Sequence, residues 1–233
     1  MNIAILLSGG TGTRLGAEIP KQYIKVNNKP IILYCMETLS NHQTIDKIQI
    51  VAAVEWQLQI LEWLKEADME RKFRGFSKPG ENRQLSIYHA LEDLKSDINE
   101  DDIVFIHDAA RPLLSETMIT DCLNAIVMHD GVLPVLPMKD TVYCSTDGKT
   151  INKLLNRSEI YAGQAPEVFR FGKYYEANKR LLPEQILTVN GSTEPAIMAG
   201  MDIAMIPGEE GNFKITTQSD LERFYQIGIQ MER

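Results

Sequence analysis

The sequence predicts an α/β fold, with a mostly parallel sheet that is covered by helices on both faces. Short apolar runs alternate along the chain with longer segments whose apolar residues recur at helical spacing. Glycine or polar residues follow several of these runs, as expected where buried parallel strands end. Repeated alternation of strand and helix is typical of layered sheets in which ligands bind at the carboxyl ends of the strands.

Each element follows from one of these two patterns. The first strand is predicted at Ile3–Leu7, where five apolar residues precede a glycine-rich segment. A helix is predicted over Ile31–Leu39, because Pro30 suits a first helical turn and apolar residues then recur at helical spacing. Further strands are predicted at Ile48–Val54, Asp102–Ile106 and Val132–Leu136, and further helices at Gln57–Lys65, Ser86–Leu94, Met118–His129 and from about Ser219.

One stretch breaks the alternation and predicts a protruding β-hairpin. Thr141–Ser145 and Ile151–Leu155 flank an Asp147-Gly148 turn signal. A two-stranded ribbon has little core of its own, so we expect this arm, at about residues 139–160, to pair with a second subunit in a homodimer. The whole chain, 1–233, is predicted to be a single Rossmann-like domain with this arm.

Composition excludes several classes of partner. The chain has 24 Lys and Arg against 32 Asp and Glu, a net charge of −8, which disfavours nucleic acids and anionic membranes. No apolar run approaches the roughly 20 residues of a membrane span, and the first residues do not resemble a signal peptide. Three cysteines without metal-type spacing indicate a reducing compartment, so we expect a cytoplasmic protein.

The segment after the first strand is the most informative. Its glycines allow backbone amides to approach a phosphate, and Arg14 and Lys21 would add two cations. The dinucleotide fingerprint fails because Leu15 stands where its last glycine should be, and no Gly-Lys-Ser/Thr of a P-loop follows. The pattern therefore favours a triphosphate site, the alternative being a tight turn with two solvated basic residues.

Three further motifs place charged residues beside the predicted sheet. Asp108 and Arg111 follow a buried strand, where they could bind sugar hydroxyls, Mg²⁺ or a phosphate, or simply form an ion pair that closes the strand. Glu81 lies at a predicted helix entrance, where an acidic residue suits the helix dipole. Lys214 lies on a predicted short strand among apolar neighbours, so it either contacts a ligand or extends to solvent.

Together these motifs resemble one known family. They are Gly9–Gly16, Pro20–Tyr23, Gly80–Ser86, His107–Pro112, Lys139–Thr141, Asn156-Arg157, Gly163–Phe169 and Asn212–Thr216. In this order they resemble the 2-C-methyl-D-erythritol 4-phosphate cytidylyltransferase family, including its branch that acts on ribitol 5-phosphate. The resemblance covers about residues 1 to 225.

The resemblance implies a CTP-dependent nucleotidyltransferase. It would transfer CMP from CTP to a polyol phosphate and release pyrophosphate, with Mg²⁺ as cofactor, as in isoprenoid precursor synthesis. The acceptor phosphate is already an anionic nucleophile, so no Ser, Cys or His nucleophile is required. Two alternatives remain: a non-catalytic CTP-binding regulator, and a uridylyl- or guanylyltransferase that shares the glycine loop.

The resemblance also implies a role for individual residues. Asp108 would contact the polyol or Mg²⁺, which could otherwise be held through the CTP phosphates, and Arg157 would reach the acceptor of a partner subunit. The catalytic residues would be Arg14, Lys21 and Lys214. The CTP contacts would be Ser8, Gly9, Gly10, Thr11, Gly12, Thr13, Gly80, Glu81, Arg83 and Ser86. The acceptor contacts would be Asp108, Arg111, Thr141 and Arg157.

Two departures from the family pattern concern the acceptor. Ala165 stands where the family usually has threonine, which removes a hydroxyl. Ser192-Thr193-Glu194-Pro195 replaces a more typical Thr-Asp-Asp/Glu segment, and Pro195 should alter the local turn. The resemblance favours methylerythritol phosphate as acceptor because that branch of the family is the larger, with ribitol 5-phosphate, for cell-wall or capsule polymers, as the alternative.

Overall fold

The computed structural model describes residues 1–10 and 19–231. Strands and helices alternate along the chain as the sequence predicts. The strands are β1 (Asn2–Leu7), β2 (Lys25–Val26), β3 (Lys29–Pro30), β4 (Lys47–Val51), β5 (Phe73–Ser77), β6 (Ile103–Asp108), β7 (Gly131–Pro137), β8 (Tyr143–Cys144), β9 (Lys153–Leu154), β10 (Tyr161–Gly163), β11 (Glu167–Arg170) and β12 (Ile203–Pro207). The helices are α1 (Ile31–Asn41), α2 (Val54–Glu66), α3 (Arg83–Leu94), α4 (Glu116–Ala125), α5 (Phe171–Lys179), α6 (Glu194–Met198) and α7 (Gln218–Met231).

The main sheet has eight strands and is mostly parallel, which confirms the predicted fold class. β1 lies between β4 and β6 and is parallel to both, and β5 extends the sheet beyond β4. β11 is antiparallel and lies between β6 and β7, whose other edge pairs with β12. The chain leaves β1 towards β4 and later returns to β6 on the opposite side. The sheet therefore has a switch point beside the end of β1, where ligands bind in such folds.

Both faces of the sheet are covered. Along β1, Ala4 and Leu6 belong to the apolar cluster that includes α1, α2 and α4, whereas Ile3 and Ile5 belong to the cluster that includes α3 and α5. Side chains alternate between the faces of a strand, so a strand buried on both faces must be apolar throughout. Among the helices that the structure describes, none is both long and apolar enough to cross a membrane.

Several boundaries differ from those predicted. The strand predicted at Ile48–Val54 ends at Val51, and Val54 instead begins α2. The helix predicted over Met118–His129 ends at Ala125 and continues as a short 3₁₀ turn. The sequence did not predict β2, β3, β5, β10, β11, β12, α5 or α6. In β5, Arg74 and Gly75 interrupt the apolar pattern because this strand lies at the sheet edge and is only partly buried.

The predicted hairpin is present as β8 and β9. Tyr143 pairs with Leu154, and both side chains are exposed. In the turn, the Asp147 carboxylate accepts hydrogen bonds from the backbone amides of Lys149 and Thr150, both at 2.8 Å. Gly148 has a φ of +69°, a conformation that favours glycine. The Asp-Gly signal therefore identified the turn correctly.

Gly131 provides a test of the packing where β7 meets its neighbours. A Cβ at this position would lie 2.6 Å from Ile203 Cδ1 and 2.7 Å from Phe169 Cδ1. We predict that Gly131→Ala lowers the free energy of unfolding by about 1–3 kcal/mol through overpacking, measured by urea denaturation. Gly191→Ala is the control, because its Cβ would have no neighbour within 4 Å. Equal urea midpoints of unfolding for the two variants would contradict this packing.

Candidate functional site

A cavity of about 590 Å³ lies at the carboxyl ends of β1, β4, β5 and β6. Its size is typical of small-molecule sites, and its position beside β1 is the switch point of the sheet. Most of the cavity-lining residues come from the segments that follow these strands. They are Leu7, Gly9, Gly10, Lys21, Gln22, Val51, Gly80, Glu81, Asn82, Arg83, Ser86, Asp108, Ala110, Lys214 and Thr216.

The glycine-rich segment forms one wall of this cavity. Ser8 continues β1 by donating its backbone amide to Val51 O at 2.9 Å, and Gly9 and Gly10 then line the cavity. A Cβ on Gly9 would lie 2.8 Å from Pro79 Cβ, so only glycine allows this close approach of the two loops. The other predicted loop contacts, Thr11, Gly12, Thr13 and Arg14, lie outside the described residues.

The entrance of α3 forms an adjoining wall. Asn82 caps the helix by accepting a hydrogen bond from Leu85 N at 2.8 Å. Ser86 Oγ accepts from Gly80 N at 2.9 Å and donates to Asn82 O at 2.8 Å, so this hydroxyl fixes the loop that precedes the helix. A Cβ on Gly80 would lie 2.6 Å from Leu85 Cβ. Gly80, Glu81 and Ser86, which are predicted CTP contacts, all line the cavity.

Asp108 lines the cavity and is the centre of a cluster of charged side chains. Lys214 Nζ lies 3.0 Å from Asp108 Oδ2, Arg83 Nε lies 3.1 Å from Oδ1, and Arg111 Nε lies 3.6 Å from Oδ2. Burial opposes ionisation of Asp108, but the three cations outweigh burial and hold its pKa well below the usual range. Asp108 is therefore a carboxylate. The ion pair with Arg111, which the sequence left open as an alternative to ligand binding, is present as one part of a larger cluster.

Arg83 also contacts a second acidic residue behind the cavity. Its Nη2 lies 3.4 Å from Glu167 Oε1, and its Nη1 donates a hydrogen bond to Ser192 Oγ. Thr193 Oγ1 donates to the other Glu167 oxygen at 3.3 Å. Burial lowers the pKa of Arg83, but Asp108 and Glu167 outweigh it and raise that pKa overall, so the guanidinium stays charged. Glu167 and Ser192 thus fix the residue that contacts Asp108, a role that the sequence analysis did not assign.

Arg111 is anchored through its own neighbours. Its Nη1 donates to Asn212 O at 2.7 Å, and Asn212 Nδ2 donates to Ala165 O at 2.7 Å. His107 Nε2 lies 3.0 Å from Arg111 O and is the donor, since a carbonyl oxygen only accepts. Burial lowers the pKa of His107 to about 4, so the ring is neutral near pH 7. His107 therefore supports the loop by a hydrogen bond rather than by charge.

Lys214 does not lie on a strand, contrary to the prediction. Residues 213–216 form no regular element between β12 and α7. The next residue, Ile215, donates its backbone amide to Ala110 O at 2.8 Å, which holds this segment beside the end of β6. Lys214 therefore lines the cavity, because this backbone contact holds its segment beside the loop that follows Asp108.

The two departures from the family pattern lie behind the cavity. Ala165 is buried and accepts a hydrogen bond from Asn212, which contacts Arg111. Ser192 is also buried and contacts Arg83. Pro195 was expected to alter the local turn, but it occupies the first turn of α6, where proline is well tolerated.

The predicted acceptor contacts of the arm lie apart from this cavity. Thr141 and Arg157 are both exposed, and neither is among the residues that line the cavity in the described part of the chain. Arg157 Nη1 donates to Lys139 O at 2.9 Å, a contact across the base of the hairpin. The chain therefore does not bring these two residues to its own candidate site.

The cavity does not fit a Mg²⁺ ion held by protein ligands. Both Asp108 oxygens contact cations, and a further cation there would be repelled. Among the residues that the structure describes, no group of three or more His, Cys, Asp or Glu could hold a metal. Mg²⁺ would instead have to be held through phosphate oxygens of a bound nucleotide.

Comparison with known proteins identifies the class of protein. The model of the IspD family, 2-C-methyl-D-erythritol 4-phosphate cytidylyltransferase, matches residues 2–227. The chain therefore belongs to this family and is a nucleotidyltransferase of the cytidylyltransferase class.

The relatives span two named activities. The chain is 30% and 31% identical to ribitol-5-phosphate cytidylyltransferases of Lacticaseibacillus paracasei and Streptococcus pneumoniae, over 96% and 95% of this chain and 96% of each relative. It is 33% identical to the bifunctional enzyme IspD/IspF of Granulibacter bethesdensis, over 94% of this chain and 54% of that protein. The crystal structure of 4-diphosphocytidyl-2C-methyl-D-erythritol synthase from Anaerococcus prevotii, 25% identical, superposes with a TM-score of 0.82 over 98% of this chain and 96% of that one.

Asp108→Asn tests the charge balance of the cluster. The variant keeps the side-chain shape but leaves three cations without their shared counter-charge. We predict that the free energy of unfolding falls by about 3 kcal/mol, as when one partner of a buried pair is removed. We also predict that pyrophosphate raises the melting temperature of the variant more than that of the wild type, because an anion replaces the lost charge.

The control is Asp101→Asn, which removes the same charge from an exposed residue that does not line the cavity. It should leave the free energy of unfolding and the response of the melting temperature to pyrophosphate unchanged. An Asp108→Asn variant with wild-type stability and a wild-type response to pyrophosphate would contradict the charge balance described above.

Proposed function

We propose that this protein transfers CMP from CTP to a polyol phosphate, with ribitol 5-phosphate as the preferred acceptor. The observation that carries the proposal is the convergence, in one cavity, of a glycine-rich loop with Lys21, Arg83 and Lys214. Backbone amides and cations in a partly enclosed site are what two polyanionic substrates require. The protein as a whole is acidic, whereas three cations line this cavity against two carboxylates, Glu81 and Asp108.

The reaction needs positioning and charge neutralisation more than a protein nucleophile. An oxygen of the acceptor phosphate attacks the α-phosphorus of CTP, the new phosphoanhydride bond forms, and the bond to the β-phosphate breaks to release pyrophosphate. We assign Lys21, together with Arg14, to the CTP phosphates, and Lys214 and Arg111 to the acceptor phosphate. These cations reduce repulsion between the two substrates and stabilise charge at the α-phosphorus.

In this proposal Mg²⁺ is bound by the phosphates of the nucleotide and not by protein ligands. Bound to the CTP phosphates it would neutralise charge, which agrees with an Asp108 carboxylate already surrounded by cations. In this scheme Asp108 fixes the lysine and arginine side chains and contacts acceptor hydroxyls. Gly80, Glu81 and Ser86 would contact the cytidine.

Two observations favour ribitol 5-phosphate. Two relatives that match nearly the full length of both chains carry that name. The chain also departs from the family pattern at Ser192, whose hydroxyl contacts Arg83, and at Ala165, whose backbone carbonyl contacts the Asn212 that holds Arg111. The name of the family model and the crystal structure from Anaerococcus prevotii favour methylerythritol phosphate, which is therefore the second candidate.

The arm supports a proposed homodimer. Its exposed apolar side chains, Tyr143, Ile151 and Leu154, would be covered by a second copy. Thr141 and Arg157 would then contact the acceptor in the site of the partner subunit, where Arg157 would add a further cation.

Lys21→Ala tests the proposed role of the loop cations. We predict that kcat falls by roughly 10² or more, because charge stabilisation near the α-phosphorus is lost. The assay is release of pyrophosphate at saturating CTP and acceptor. The exposed Lys25→Ala, which removes a neighbouring lysine, is the control and should retain wild-type turnover. Near-wild-type turnover of Lys21→Ala would remove Lys21 from the reaction.

Competing acceptors test the substrate. We predict that kcat/KM with ribitol 5-phosphate exceeds that with 2-C-methyl-D-erythritol 4-phosphate at least about tenfold, since the buried contacts around an acceptor discriminate strongly between polyols. The assay is CTP-dependent pyrophosphate release, with UTP and GTP as nucleotide controls. The reverse preference would favour the second candidate. CTP binding without product from either acceptor would support a non-catalytic regulator and contradict the proposed reaction.

A further inference from the structure

Gln22 lines the cavity and is nevertheless almost completely buried. It belongs to a 3₁₀ turn, Lys21–Tyr23, that follows the glycine-rich segment in sequence, and it is 3% exposed. Its Nε2 donates to Ser8 O at 2.7 Å and to Gly10 O at 2.8 Å. Both partners are carbonyl oxygens, which only accept, so the orientation of the amide group is determined and both of its hydrogens are used.

These two hydrogen bonds fix the direction of two carbonyl groups at the start of the loop. In a trans peptide the carbonyl and the following amide point in opposite directions. Because Ser8 O points at Gln22, the amide of Gly9 points away from Gln22. Carbonyl oxygens facing a triphosphate would repel it, whereas amides attract it. Gln22 thus engages two carbonyl oxygens of the segment in which Gly9 and Gly10 line the cavity, so that neither oxygen is free to turn towards a phosphate.

The neighbours of Gln22 reinforce this arrangement. Tyr23 OH donates to Ser8 O at 3.0 Å and accepts from Ser8 Oγ at 2.9 Å. On the opposite side of the loop, Pro79 leaves no room for a Cβ on Gly9. The start of the loop is therefore held on both sides, and the residue that precedes Gln22 is Lys21, which lines the same cavity.

We propose that Gln22 is a positioning residue for the nucleotide triphosphate, a role that rests on the proposed function. It orients the backbone of Ser8–Gly10 and fixes the distance between that backbone and the Lys21 segment. Gln22 itself need not contact the substrate. Loss of its two hydrogen bonds should weaken CTP binding while leaving the proposed acceptor contacts, Lys214 and Arg111, unchanged.

Two variants test this role. Gln22→Met keeps the length of the side chain without its hydrogen bonds, and Gln22→Glu places a carboxylate against two carbonyl oxygens. We expect the dissociation constant of CTP, measured by calorimetry, to rise about tenfold in Gln22→Met and further in Gln22→Glu. The KM for CTP should rise in parallel, and the KM for the acceptor should stay within about twofold.

Gln49→Met is the matched control. Gln49 is 1% exposed and donates to Ser77 Oγ at 2.8 Å, but it does not line the cavity. This variant should lower the melting temperature without changing the affinity for CTP. If Gln22→Met does not fold, Gln22→Glu carries the test, because its shape is nearly that of glutamine.

The outcomes separate this proposal from the proposed function. Unchanged CTP affinity in folded Gln22 variants would overturn the positioning role. So would an equal loss of affinity in Gln49→Met, or failure of both Gln22 variants to fold while Gln49→Met folds, since Gln22 would then be structural only. CTP is bound without acceptor in the calorimetry, so a wild type that binds CTP but forms no product contradicts the transfer reaction and leaves the test of Gln22 intact.

Discussion

The ion pairs of Asp108 are the interaction on which the candidate site depends. They bring together the first residue of α3, the loop after β6 and the segment before α7, which are far apart in sequence. A buried carboxylate with one cation would be costly to desolvate, whereas three cations at 3.0–3.6 Å keep it ionised. The same carboxylate limits repulsion among the cations in the absence of substrate. The cluster can therefore form without a ligand, and it keeps a net positive charge that attracts an anionic ligand.

A second layer of uncharged and acidic groups holds this cluster in place. Ser192 and Glu167 contact Arg83, and Asn212 and His107 contact Arg111. Residues of this layer do not need to touch a substrate to affect it, because they set the positions of the side chains that do. Of the two departures from the family pattern, Ser192 belongs to this layer through its hydroxyl, and Ala165 contacts Asn212 through its backbone carbonyl.

The sequence predicted the parts of the site that depend on local pattern. A glycine loop after β1 and a charged motif after β6 can be recognised because parallel strands end at the same edge of a sheet. The contribution of Glu167 could not be found in this way. It requires knowing that β11 inserts antiparallel beside β6, with Glu167 paired to Ile106, and this strand order is a long-range property. Gln22 lies within the Pro20–Tyr23 motif, but the role proposed for it depends on contacts with two backbone carbonyls that no side-chain pattern reveals.

A crystal structure with CTP, solved without acceptor, tests the central claim most directly. The account predicts that the triphosphate lies in the cavity beside β1, with phosphate oxygens within hydrogen-bond distance of the Gly9 amide and Lys21 Nζ. It also predicts that Asp108 keeps its contact with Arg83. A triphosphate bound outside this cavity, or one that leaves Lys21 and the glycine loop without contacts, would contradict the account.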